Sequence, residues 1–205
     1  MFEVNSGGGS SVRIATKNDT LWVDPSTRHT ADKGNEVKDV VQIATQPHLL
    51  QEQVGDKPRL EGPGEYEVGS YALRGFAVQS FDGSSLVTSY RLEINEVAIW
   101  VLGNGSAELS EDQFEMLGLV DILVLPVSDG LAGVSPHQAA HLVRRIEPKL
   151  VLPIGIAVKD TTQEPSSAAL ADFVKELGAP TQDGGRIKIK TPGDLPAVLT
   201  VVLPE

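Results

Sequence analysis

Chemistry in this chain has few residues to draw on: four histidines, no cysteine, and aspartates scattered at the ends of apolar runs. His48 lies in IATQPHLLQEQ, just after the apolar VKDVVQIAT. An imidazole at a strand end can ligate a metal or act as a general base. Asp24, Asp82 and Asp121 stand at comparable places, and in α/β sheets ligands gather at one end of the strands. His137 and His141 are four apart on one helical stretch, the spacing at which two imidazoles share a zinc. They lie opposite the apolar stripe, beside Arg144 and Arg145, with no carboxylate between them. That cationic, solvated face is a poor seat for a divalent ion, so the pair reads as exposed. His29, in PSTRHTADKG, reads as part of a polar loop. Ser128-Asp129 with His137 lacks the strained turn of a nucleophile elbow. NSGGGSS lacks the Lys-Ser/Thr and the following helix of a phosphate loop, and reads as a tight turn.

The elements that must position these residues change character midway. SVRIAT and TLWVDP flank the polar KNDT as a hairpin, and VKDVVQIAT reads as a strand covered on both faces. From Arg59 to Gly105 the chain alternates polar and apolar residues with glycine punctuation and a turn near Asn95-Glu96. This predicts a meander of short, half-exposed strands. The second half has helical period. Ser110 with Gln113 and Ser135 with Gln138 have capping-box spacing, Pro136 suits a first helical position, and Gly118 and Gly178 read as stops. Ala139, Leu142, Val143 and Ile146 form one stripe, and Leu170, Phe173, Val174 and Leu177 another. VDILVLPV and KLVLPIGIA read as buried strands between these helices, and RIKIKT and AVLTVVL as closing strands. Helix and strand alternating behind a strand-rich half predict a layered α/β fold.

Composition narrows the partners. A chain of 205 residues with 40% hydrophobic content can bury a substantial core. No interior boundary is visible, so residues 1–205 are expected to form one domain. A net charge of −11 disfavours nucleic acid, whose binding needs clustered Lys and Arg. The absence of cysteine excludes disulfides and thiolate metal sites and fits a reducing compartment. No apolar run reaches the length of a membrane span or a signal-peptide core, so a cytoplasmic location is expected.

Five segments, taken in order, carry a family likeness: GGSSVRI, LWVDP, GPGEYEVGSYALRGF, VLGNGSAELSEDQFEMLGLVDILVLPV and AAHLVRRIEPKLVLPIGI. They resemble the metallo-β-lactamase-fold hydrolases, in the branch of small bacterial metal-dependent hydrolases related to ascorbate-phosphate lactonase. The likeness runs nearly end to end, and GPGEYEVGSYALRGF is its most specific part. It implies an αβ/βα sandwich of two mixed sheets with helices on the outside. It also implies hydrolase chemistry on zinc, manganese or iron.

At the ligands the likeness fails. The family's Thr/Ser-His-x-His-x-Asp-His falls on TQPHLLQ. Thr45 is kept and His48 stands at the second histidine, but Gln46, Leu50 and Gln51 replace the first histidine, the aspartate and the last histidine. The next family histidine falls near SFDGS, where Phe81-Asp82 stands. The family's Gly-Asp becomes Gly103-Asn104, its final histidine becomes Gly155, and Gly9 replaces a histidine of the opening strand. Catalytic zinc needs about three protein ligands to lower the pKa of a bound water to about 7. Only His48 and Asp82 among the matched positions could contribute.

The expectation is therefore a metal-free pseudo-hydrolase without cofactor, with no assigned catalytic residue, acting as a binding or scaffolding module. Its cleft would be lined by Gln46, His48, Leu50, Gln51, Asp82, Asn104 and Gly155. The alternative is a hydrolase of an ester, lactone or phosphate, with His48 as base, Asp82 orienting it and the amides as hydrogen-bond donors. A third reading gives the aromatics Trp22, Tyr66 and Tyr71 a place on a contact surface. The partners left open are a small molecule in the cleft, another protein or a second copy of the chain; nucleic acid and membrane are excluded.

Overall fold

Apolar residues that alternate along one strand and run unbroken along another already separate half-covered sheets from fully covered ones. In the computed structural model, which describes residues 1–25, 40–50, 57–129, 133–158 and 161–204, both kinds occur. The strands of the first half are β1 (Phe2–Gly8), β2 (Ser11–Ala15), β3 (Thr20–Val23), β4 (Val40–Ala44), β5 (Arg59–Glu61), β6 (Gly64–Val68), β7 (Tyr71–Gln79), β8 (Leu86–Ile94) and β9 (Val97–Val101). There follow α1 (Glu111–Leu117), β10 (Ile122–Pro126), α2 (Pro136–Ile146), β11 (Leu150–Ile154), β12 (Ile156–Val158), β13 (Thr161–Gln163), α3 (Ser167–Leu177), β14 (Thr181–Gln182), β15 (Arg186–Ile189) and β16 (Thr200–Val202).

Two mixed sheets result. The first has the order β15-β1-β2-β3-β4-β5 and the second β14-β16-β11-β10-β9-β8-β7-β6. Phe2, Val4, Ile14, Leu21 and Ile43 of the first sheet face Tyr90, Leu92, Ile99, Val101 and Leu152 of the second. The outer face of the second sheet sends Trp100, Leu123 and Val151 into a separate core with Ala139, Leu142, Val143 and Phe173 of the helices. Because strand side chains alternate in direction, β9 serves both cores, Ile99 and Val101 on one side and Trp100 on the other. The sandwich matches the expected fold. The three described helices cover the second sheet; among the described residues none covers the first.

The helix signals operate as read. Ser110 and Gln113 form a reciprocal capping box, as do Ser135 and Gln138, and Gly118 and Gly178 close their helices at positive φ. Asn95 and Glu96 both take positive φ in the β8–β9 turn, as a tight hairpin of that kind requires.

Three expectations need correction. The meander strands are not uniformly short, since β7 and β8 have nine residues each; β6 and β7 alternate in exposure as read, but all of β9 is buried because both of its faces are covered. KLVLPIGIA is not one strand, since the chain breaks at Gly155 and enters the β12–β13 hairpin. Tyr71 is not a surface aromatic: it is 2% exposed, and its hydroxyl donates to the carbonyls of Ile14 and Asp19. Among the described residues no helix is long and apolar enough to cross a membrane.

Candidate functional site

β3, β4, β9 and β11 deliver Asp24, Thr45, Asn104 and Gly155 from their carboxyl-terminal ends. Asp24 is the anchor. It is 2% exposed, has φ of 47°, donates its N–H to the Ile43 carbonyl and receives the Ser11 hydroxyl on its own carbonyl at 2.5 Å. A non-glycine residue holds that left-handed backbone only when its surroundings fix it. The Asp24 carboxylate accepts the Thr45 N–H and the Thr45 hydroxyl, both at 2.7 Å. Burial pushes its pKa up to about 7, against the opposing effect of the two Thr45 hydrogen bonds.

Thr45 carries this order onward. Its carbonyl accepts the Thr88 N–H of β8, which ties the two sheets together at this end. Its side chain lies so close to Gly103 that any Cβ there would collide with it, and Gly103 has φ of 62°. Glycine is the residue that meets both conditions.

Beyond Gly103 the polar groups are neutral. Asn104 is 2% exposed and its amide nitrogen donates to Gln46 Oε1 at 2.9 Å. Pro47, His48 and Leu49 form a single 3-10 turn that leaves the His48 side chain exposed and buries Leu49 against Ala44. Leu50 packs partly buried on that pair. Gln51 and His29 lie outside the described residues. The Asp82 loop reaches the same end through Phe81, whose N–H donates to the Asn104 carbonyl. The Asp82 carboxylate, however, is taken up by its own turn. It accepts the Ser80 hydroxyl at 2.6 Å, and the N–H and hydroxyl of Ser84 at 3.0 and 2.8 Å, which hold its pKa down at about 2. Among the described residues no hydrogen bond or ion pair joins it to His48.

Gly155 and Gly9 are brought together, with the Gly155 N–H donating to the Gly9 carbonyl at 2.8 Å. The β12–β13 hairpin folds over them. A Cβ at Gly155 would collide with the Gln163 carbonyl, and Glu164 Oε1 accepts the Gly9 N–H at 2.8 Å. Glu164 was not legible as a cleft residue, because nothing in QEPSS foretells a contact 155 positions away.

The other candidates disperse. Asp121 accepts the Ala98 N–H, Asp129 accepts the Ser166 hydroxyl, and His137 pairs with Glu176 at 2.6 Å on an exposed helix face. Among the described residues no three His, Asp or Glu side chains converge on a point where a metal ion could sit. Among the described residues, the positions that match the family's ligands present two amides, an aliphatic side chain, a glycine, a self-contained carboxylate and an exposed imidazole, and Gln51 adds a third amide in the sequence. That donor set does not fit zinc, manganese or iron held in the family's manner.

A family model for the beta-lactamase superfamily domain matches residues 3–155. No curated protein sequence matches the chain. Among solved structures, a metallo-beta-lactamase superfamily protein from Thermotoga maritima aligns over 100% of both chains with a TM-score of 0.76 at 18% identity. The metallo-beta-lactamase fold protein YhfI from Bacillus subtilis aligns over 98% of this chain and 96% of its own, with a TM-score of 0.65 at 8% identity. At such identities the likeness is one of fold.

Proposed function

The chain belongs to the beta-lactamase superfamily, and we propose that within it this protein is a metal-free pseudo-hydrolase that works by binding rather than by turnover. One observation carries the reading: the Gln46–Asn104 amide pair at 2.9 Å stands where the family places a ligand histidine and a ligand aspartate. Neutral amides joined by this one hydrogen bond supply neither negative charge nor imidazole to a cation. Gly155, sealed beneath Gln163, supports the same reading. The partner is a small molecule or another protein, and the fold serves as its scaffold.

Metal analysis of protein purified without chelator or immobilised nickel tests this. The expected content is far below one equivalent of zinc, manganese or iron, and about one equivalent per chain would overturn the reading. A screen of ester, lactone and phosphate substrates on wild type and His48→Ala supplies the second arm. Turnover that His48→Ala abolishes would contradict a binding role.

A further inference from the structure

The outer face of the first sheet carries a row of side chains that the cleft does not use. Asn5 of β1 lies opposite both Arg186 of β15 and Arg13 of β2, and Arg13 lies opposite Trp22 of β3. Side chains at one level on adjacent strands point the same way, and strands sit about 4.8 Å apart. These four residues, with Glu164 and Gly7, line a cavity of about 600 Å³. Small-molecule sites are commonly of this size.

The charges in the cavity are unequal in their engagement. Arg186 donates to both oxygens of Glu3 at 2.6 Å, and Lys188 reaches the same carboxylate at 3.5 Å. Arg74, Arg91 and Arg145 each hold a carboxylate elsewhere on the surface. Arg13 is half-buried and makes no hydrogen bond or ion pair among the described residues. Among the described residues Arg13 is therefore a half-buried cation in this cavity with no carboxylate partner, whereas its neighbour Arg186 has one. Its cross-strand neighbour is the half-buried indole of Trp22, which lines the same cavity within reach of the guanidinium.

We propose that this cavity binds a small planar ring carrying an anionic group, with the ring against Trp22 and the carboxylate or phosphate on Arg13. Guanidinium pairs with either anion through two parallel N–H donors. The cavity shares Glu164 with the Gly9–Gly155 corner, but neither Gln46 nor Asn104 lines it, so the proposal does not depend on whether metal binds there.

The chain contains only two tryptophans, Trp22 and Trp100, and Trp100 is fully buried with its N–H on the Ser89 hydroxyl. A ligand-dependent change in intrinsic fluorescence therefore reports on Trp22, over the constant emission of Trp100. AMP and benzoate serve as the phosphate-bearing and carboxylate-bearing probes, with adenosine and inorganic phosphate as the two halves of the first. Saturable quenching is expected for at least one anionic probe with Kd below about 1 mM. Each half alone should bind at least about 10-fold more weakly, and Arg13→Ala should weaken the whole probe by about 10-fold or more while leaving adenosine unchanged. Trp22→Phe should abolish the signal, with binding followed by calorimetry and folding by circular dichroism. Failure of both anionic probes to saturate by about 10 mM, or equal binding by folded Arg13→Ala, would overturn the proposal.

Discussion

Two corners at the same end of the sandwich have had opposite fates. In the Asp24–Thr45 corner a buried carboxylate, a strained backbone and a glycine contact all remain in register. In the Gln46–Asn104 corner, a few residues away, amides, Leu50 and Gly155 stand where the family's motif carries charged and imidazole groups, and only His48 stays, turned to solvent. The difference teaches that wiring strand ends together and holding a metal are separable tasks. The first joins the two sheets at this end, and the second is what the proposed metal-free reading gives up while the strands keep the family's order.

Substitutions that add bulk at the sealed glycine should do the most damage. Gly155→Ala places a methyl group against the Gln163 carbonyl. It should cost about 3 kcal/mol or more in urea unfolding, since backbone must move to relieve it. A stability loss under about 1 kcal/mol would mean that the β12–β13 hairpin yields easily, and the two corners would then differ less than described.

Next in size is the pH dependence of the anchor. The folded pKa of Asp24 is raised to about 7 from the ordinary aspartate value. The folded state then binds the proton more tightly than the unfolded state between about pH 4 and pH 7, so this group's contribution to stability falls as pH rises through that window. It is constant below and above it. The loss over the window is up to about 4 kcal/mol. Asp24→Asn removes the titration while keeping one acceptor for the Thr45 N–H. Unfolding free energies of wild type minus variant should slope downward with pH across this window and be flat outside it.

Smaller effects compare the corners directly. Thr45→Val keeps shape but deletes the hydroxyl that serves the Asp24 carboxylate. It should destabilise by about 2 kcal/mol at pH 8, where that carboxylate is charged. Asn104→Ala breaks one neutral amide pair and should cost about 1 kcal/mol. Reversal of that order would contradict the claim that structural wiring is concentrated at Asp24. Asp82→Asn should change least, leaving the unfolding midpoint near the wild-type value, because the turn it closes is exposed.

Much of this was legible in the residues. Both capping boxes, the glycine stops and the continuous apolar strands follow from local rules, and they emerged where expected. The replaced ligands could be named because the motif around them is nearly intact. What escaped is non-local. Tyr71 sits on the alternating face of a strand, and only the docking of the two sheets decides that its hydroxyl is buried. β1 is hard to see because FEVNSGG ends in glycines, which lack a strand pattern. Glu164 matters through its contact with Gly9, and the row from Arg186 to Trp22 exists only through sheet order.

The central claim is that the wired corner persists without a metal-binding one. Calorimetric titration with zinc and manganese tests it most directly, in a His137→Ala/His141→Ala background that removes the surface pair at zinc spacing. The account predicts no saturable site tighter than about 100 μM and no rise in unfolding midpoint with added metal. One site per chain with sub-micromolar affinity, abolished by His48→Ala, would contradict it.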